Sequence, residues 1–308
     1  MGRTDVRVDL VTSIACVIPT HGRPDYLSEA LDSVFGQQGA RVSEVVVVDD
    51  IGTAETESIV LGFAEREPDV RVQYLHRAEG APGASASRNA GFAATVSEYV
   101  AFLDDDDYWK PDYLLDASRA LDASGAGLCL SWMLVHETNG LTLDHFSPRL
   151  GLKLADVLAR NAGITGSNMV VRRGAFEVIT GFDAQLPVSN DKDFLVRFLA
   201  ADLEYVVVDR RNVVHRRHTS GQLTEWNERR AAALEKYITK HHALLSRQDR
   251  RFLERQIHSI RFRTTSGARK LVHGVLLIAK SAPADLAAKM ARRSGLRSSS
   301  TRQPGAAQ

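Results

Sequence analysis

Short apolar runs alternate with amphipathic stretches through the first half of this 308-residue chain, and no other feature constrains the fold as tightly. Ser13 to Ile18 is a run of strand-forming residues closed by Pro19, and Val45 to Val48 is four consecutive valines. A strand apolar at every position must be covered on both faces, which is the situation of a parallel sheet between helices. Pro24 opens a helix in which Leu27, Ala30, Leu31 and Val34 recur at i, i+3, i+4 and i+7. The pattern continues with a helix from about Ala54 to Glu67, a strand from Val70 to Leu75, and a helix from Ser85 to Thr95. A strand from Tyr99 to Leu103, a helix from Pro111 to about Ala123 and a strand from Leu128 to Val135 follow. The predicted class is α/β, with a mostly parallel sheet flanked by helices.

The second half is less regular. Leu152 to Ala159 and Asp191 to Ala200 read as helical, Ser167 to Val171 and Tyr205 to Val208 as extended. From Trp226 to about Lys289 the pattern is helical throughout, and Ser294 to Gln308 has the Ser, Arg, Gly and Gln content of a disordered end. The predicted organisation is a domain over residues 1–225, a basic helical extension over 226–293 and a disordered tail over 294–308. Arg247 to Gln308 carries 14 Lys and Arg against 3 Asp and Glu, whereas residues 1–246 carry 25 basic and 35 acidic side chains. That asymmetry points the tail at something anionic, with a membrane surface favoured and no nucleic acid expected. No apolar stretch approaches the ~20 residues that cross a bilayer. The first eleven residues lack the apolar segment of a secretory signal, and Cys16 and Cys129 each lie in an apolar run, as buried free thiols of a reducing compartment would. A cytoplasmic location, peripheral on the inner face of the membrane, is the expectation.

In a parallel α/β sheet ligands bind beyond the carboxyl ends of the strands. Here those ends read Pro19-Thr20-His21-Gly22-Arg23, Asp49-Asp50 and Asp104-Asp105-Asp106-Asp107. Asp and Thr cap helices well, and Asp50 is expected to do so. Four consecutive aspartates exceed what one cap needs, and a divalent cation relieves their repulsion. Carboxylate-only sites suit Mg²⁺ or Mn²⁺. No Walker loop, Gly-x-Gly-x-x-Gly loop or Gly-x-Ser-x-Gly elbow is present, so phosphate handling falls to a metal and to cations such as Arg88.

These segments, with Gly83 to Gly91 and Phe102-Leu103-Asp-Asp-Asp-Asp-x-Trp-x-Pro, occur in the order and spacing of a known family. From about Ser13 to Gly221 the chain resembles the glycosyltransferase family 2 enzymes of GT-A fold, with a Rossmann-like sheet. The resemblance implies an inverting, metal-dependent, hexosyltransferase-type enzyme. It would move a sugar from a nucleotide-diphosphate donor, a UDP-sugar foremost, to an acceptor hydroxyl in polysaccharide, glycolipid or other glycoconjugate synthesis. It sets Pro19, Thr20 and Arg23 beside the nucleotide, Asp49 at the base, Arg88 at the donor end, and Asp104 and Asp105 near the donor. Asp106 is the expected metal ligand, with Asp104 and His218 as further candidates. Asp191 matches the general base, with Asp193 in reserve; Asn190 stands where relatives carry Glu. A lipid-linked acceptor would suit the basic tail. The competing expectation is a non-catalytic nucleotide-sugar-binding or scaffold member of the same fold, supported only by Asn190.

Overall fold

The computed structural model describes residues 13–80, 83–217 and 226–280. These divide into two compact units on either side of the Glu225/Trp226 boundary. In the first, the strands are β1 (Ile14–Thr20), β2 (Glu44–Asp49), β3 (Arg71–His76), β4 (Tyr99–Phe102), β5 (Tyr108–Trp109), β6 (Leu128–His136), β7 (Thr142–Asp144), β8 (Met169–Arg172) and β9 (Tyr205–Arg216). Between them run α1 (Pro24–Phe35), α2 (Ala54–Arg66), α3 (Ala84–Ala93), α4 (Tyr113–Ser124), α5 (Leu154–Val157), α6 (Arg173–Val178) and α7 (Asn190–Ala200).

The described strands form one sheet in the order β3-β2-β1-β4-β8-β6-β9-β5, with β7 on β6. The first four are mutually parallel, and β8 joins β4 antiparallel. Both faces of the parallel half are covered, as the unbroken apolar runs require. On one face Cys16, Ile18, Val45 and Val47 pack with Leu27, Leu31 and Val34 of α1 and Leu114, Ala117 and Leu121 of α4. On the other, Phe102 meets the rings of Phe176 and Phe182, and Phe194 and Phe198 of α7 extend that cluster. Helix α3 lies close on the strands at Gly91, where an added Cβ would run into Val17 and come within 3.1 Å of Val48. Cys16 and Cys129 are buried free thiols in β1 and β6, and burial pushes Cys129 up to about 12.

At the opposite end of the sheet from the polar strand ends, Glu44 is nearly fully buried. It accepts from the Val96 and Ser97 amides, from Ser97 Oγ and from Arg71. Burial alone would raise its pKa; those donors outweigh it and hold the carboxyl below its ordinary value.

Several boundaries differ from the expectations. Helix α4 starts at Tyr113, not Pro111, because β5 pairs with β9 just upstream and residues 110–112 form the turn between. Strand β9 runs to Arg216 rather than stopping at Val208. Asp209, Arg210 and Arg211 break its apolar pattern, but Arg210 turns to solvent and pairs with Asp116, and Arg211 lies over the Trp132 ring and pairs with Asp144, while the backbone stays between β6 and β5. The stretch expected to be helical from Leu152 forms a single turn, and a 3-10 turn at Gly166–Asn168 precedes β8.

The second unit contains α8 (Glu228–Lys240), α9 (Arg247–Thr264) and α10 (Gly267–Ala279). Asn227 caps α8, and Ser246 with Asp249 forms a capping box on α9. Apolar residues face inward on both: Leu234 and Tyr237 on α8, Leu253, Ile257 and Ile260 on α9. The fork of Arg261 joins Glu228 and Glu235. No helix among the described residues is long and apolar enough to cross a membrane. The tail expected from Ser294 lies outside the described residues.

Candidate functional site

The carboxyl ends of β1, β2 and β4 bring Thr20, Asp49 and the acidic run to one edge. Burial alternates along the run: Asp104 and Asp106 are half-buried, Asp105 and Asp107 fully buried. The Asp-x-Asp pair thus shares the open side, and the intervening acids are turned into the protein.

Asp105 ties β4 to β1. It accepts from Thr20 Oγ1 at 2.8 Å, from the His21 amide at 3.3 Å and from Arg23 Nη1 at 3.2 Å. Pro19 lies one residue earlier, in register with Val48 of β2. Burial, then the negative charge of Asp106, pushes Asp105 up to about 7 against the opposing pull of Arg23 and Thr20. Arg23 also holds Asp106. Asp107 is locked from the far side of the sheet by His215 Nδ1 at 3.0 Å, the Arg216 amide at 3.0 Å and Ser167 Oγ. Burial opposes ionisation of Asp107, yet His215 and these donors lower its pKa, and Asp107 in turn pushes His215 up to about 9.

Asp104 pairs with Arg88 of α3, whose guanidinium is almost wholly buried. Its Nε and Nη1 have no hydrogen-bond partner. Two buried, unsatisfied donors on a cation are costly unless an anion completes them. Gly166 lies against this pair: an added Cβ would collide with the guanidinium and sit 2.9 Å from Asp104 Oδ1.

Asp49 is fully buried and accepts from the Ile51 and Thr53 amides at 2.9 and 3.1 Å and from Tyr74 Oη at 3.1 Å. Burial is outweighed by these bonds, so its pKa is lowered. The side chain expected at the base therefore orders the loop after β2. Asp50 is not a cap, because Thr53 caps α2. Instead Asp50 accepts from the Gly83 amide at 2.9 Å and pairs with His21, with Arg77 3.8 Å away.

Asp191 lies in the first turn of α7, after Ser189, which is held in the left-handed region at φ 63°. One oxygen accepts from Asn161 Nδ2 at 3.2 Å and the other from the Lys192 amide at 2.7 Å. Burial raises its pKa against the pull of the Lys192 amide, Arg88 and Lys192, and Asp104 adds to the rise. Asp191 is thus electrostatically within reach of the Arg88–Asp104 pair. Asp193 is fully buried and bonded to Arg197 Nε at 2.8 Å in an i, i+4 pair. Asn190 accepts from the Asp191 amide.

Among the described residues no three His, Cys, Asp or Glu side chains converge into a ready cage for a metal. Asp104 and Asp106 nevertheless suit Mg²⁺ or Mn²⁺, which are commonly held by one or two carboxylates, with phosphate oxygens and water completing the shell. The two unsatisfied donors of the buried Arg88 beside Asp104 fit the same picture, since the phosphate oxygens that complete the cation's shell would also complete them. His218, the third metal candidate, lies outside the described residues. Asn161 was not expected in the site; Ser167, within a Gly166-Ser167-Asn168 segment on the acceptor side, and His215, as the weaker match beside His218, were expected only through the resemblance. His215 follows the charged break in β9 that hid the strand, and an Asn in an irregular segment carries no signal of its own.

A family model described as glycosyl transferase family 2 matches residues 15–180, and one described as glycosyl transferase family group 2 matches residues 99–279. The succinoglycan biosynthesis protein ExoO of Rhizobium meliloti (strain 1021) is 34% identical over 140 residues, 46% of this chain and 38% of that protein. The chain spans about half the length of the curated relatives it matches first. Among solved structures, the mannosyltransferase PcManGT from Pyrobaculum calidifontis in complex with GDP-Man and Mn²⁺ superposes with a TM-score of 0.62 at 18% identity. That match covers 92% of this chain and 81% of PcManGT. S. aureus TarS 1-349 in complex with UDP-GlcNAc gives 0.59 at 15% identity, covering 92% of each chain. At these identities the likeness is one of fold, the GT-A glycosyltransferase fold.

Proposed function

The chain belongs to glycosyl transferase family 2, and from that premise we propose that it moves a sugar from a nucleoside diphosphate to an acceptor hydroxyl with inversion at the anomeric carbon. The observation that supports the proposal is the buried Arg88, paired with Asp104 through Nη2 but with Nε and Nη1 unsatisfied, whose charge acts on the raised carboxyl of Asp191 at the start of α7. Donor and base are thereby offered from two different elements, α3 and α7.

In this reading Arg88 directs its unsatisfied N–H groups at the diphosphate. Thr20, Asp105 and Arg23 brace the β1 and β4 ends around the nucleotide, and Asp49 orders the loop on which the base rests. Asp106 and Asp104 would hold a divalent cation, which when bound supplies Lewis-acid neutralisation of the departing diphosphate. Asp191 accepts the proton of the acceptor hydroxyl as it attacks the face opposite the leaving group. Asp193, buried against Arg197, positions α7. We assign a UDP-sugar as first donor, in line with the UDP-GlcNAc bound by TarS; the GDP-Man complex of PcManGT makes a guanine nucleotide the comparison to run. The acceptor we infer is a growing polysaccharide or glycolipid at a membrane, consistent with the succinoglycan relative and the basic second unit.

The test is a panel of UDP-, GDP- and dTDP-sugars scored by nucleotide release, with Mn²⁺ or Mg²⁺ and with chelator. Metal-dependent release from one donor is expected. No release from any donor, with the protein folded, sinks the proposal.

A further inference from the structure

Helix α10 is built inside out. The side facing α9 carries its polar residues: Lys270 stands 5.2 Å from the Phe262 ring, His273 Nδ1 is 3.2 Å from His258 Nδ1, and Lys280 donates to Glu254 at 2.6 Å. Gly274 allows the close approach, since an added Cβ would sit 3.2 Å from Phe262. The other side carries Leu271, Val272, Val275 and Ile278, exposed by 73, 54, 67 and 59%. No residue of α10 is buried, whereas α8 and α9 turn their apolar residues inward. An apolar stripe left open on one helix of a packed hairpin marks a surface that something else covers.

Charge identifies what covers it. Residues 226–280 hold 13 Lys and Arg against 4 Asp and Glu. The acids are spent internally: Glu228 and Glu235 on Arg261, Glu254 on Lys280, and Asp249 in its capping box. No acid lies on α10, and Arg269 is exposed beside Leu271 and Val272. A second copy would bring the same excess of positive charge against itself, whereas an anionic bilayer attracts it. At 13 residues the helix is about 20 Å long, too short to span the ~30 Å hydrocarbon core but suited to lie in its interface. We propose that α10 is a membrane-docking helix that beds Leu271, Val272, Val275 and Ile278 into the headgroup boundary of an anionic membrane. The purpose of the contact, though not its existence, rests on the reading of a membrane-held acceptor.

The experiment is flotation of the full chain with vesicles of phosphatidylcholine alone or with increasing phosphatidylglycerol, at low and high salt. Binding should rise with the anionic lipid and fall with salt. The variant Leu271→Ser/Val275→Ser/Ile278→Ser should bind at least ~10²-fold more weakly with an unchanged melting temperature, because the replaced side chains are exposed. Arg269→Glu should bind more weakly only where anionic lipid is present. Equal binding of the triple variant and the parent overturns the proposal. So does a lower melting temperature with no vesicle binding by either protein, which makes the face an internal contact. A parent dimer that the variant splits, again with no vesicle binding, assigns the face to a second copy instead. Nucleotide release is read separately. Vesicle binding without turnover leaves the docking helix standing and removes the transferase reading, and turnover without binding does the reverse.

Discussion

The acids at the β1, β2 and β4 ends and the acid at the start of α7 are satisfied in opposite ways. Asp49, Asp105 and Asp107 are each buried and each accept three hydrogen bonds or more, from side chains or backbone amides. Asp191 has the Asn161 amide and one backbone N–H of its own turn, and its pKa is raised. A carboxylate saturated with donors, as Asp49 and Asp107 are, is a fastener and keeps its charge, whereas burial and the neighbouring Asp106 raise Asp105 in spite of its bonds. A carboxylate that is desolvated, sparsely bonded and near a cation is poised to take a proton. The contrast separates the acids that build the strand-end edge from the acid that we propose works on it.

The deepest cut into this contrast is on the open side of the acidic run. Asp106→Ala should lower transfer at least ~10³-fold, the scale of several kcal/mol of charge stabilisation, and excess EDTA should do the same to the parent. Full activity under either condition removes the cation from the mechanism. At α7, Asp191→Asn should lower turnover about 10²-fold or more while donor affinity, read by calorimetry, holds. Because a raised carboxyl costs folded-state stability once ionised, the same change should raise the melting temperature near neutral pH. Asp193→Asn should do the opposite, melting lower through loss of a buried partner for Arg197; a turnover loss there without unfolding would exchange the two roles.

Smaller effects sharpen the picture. Gly166→Ala should displace Arg88 and cost roughly tenfold in kcat/KM, and an unchanged value would show that the guanidinium need not stay where it lies. The pH profile of turnover should have an acidic limb above the ordinary carboxylate range, since Asp191 must be ionised to act, and that limb should vanish in Asp191→Asn. The smallest effect on activity, and the clearest on stability, is at Glu44. Its depressed pKa contributes stability that is complete above the ordinary glutamate pKa, near 4.3, and is lost as pH falls through the lower folded value. Glu44→Gln should leave turnover intact, cost on the order of 2 kcal/mol at neutral pH and flatten the acid limb of the denaturation curve.

What could be read beforehand follows the strength of local signals. Unbroken apolar runs such as Val45 to Val48 announce strands buried on both faces, and Pro24 announces its helix, so the parallel half was legible almost to the residue. The mixed half was not, because its strands carry exposed ion pairs: Arg210 and Arg211 look like a loop until β6 and β5 are seen on either side. In the site, the acidic run and Asp191 were visible as residue types in a familiar order. The roles of Asp105 and Asp107 were not, since burial decides them and burial depends on strands that lie far away in sequence. The inside-out placement of α10 was hidden for the same reason: an amphipathic pattern says that two faces differ, not which one its neighbour takes.

The position of β9 between β6 and β5 also sets a clock. Trp109 finds its strand partner, and Asp107 its histidine, in residues 213–216, over a hundred positions downstream. While the chain is being made, Arg23 and Arg88 precede the acids they pair with, but Asp107 must wait for its partners until nearly the whole first unit has left the ribosome. Such distant pairing forms slowly. A nascent or prematurely ended chain can therefore complete the β3-β2-β1-β4 layer and still leave Asp107 and Trp109 without the partners that β9 brings.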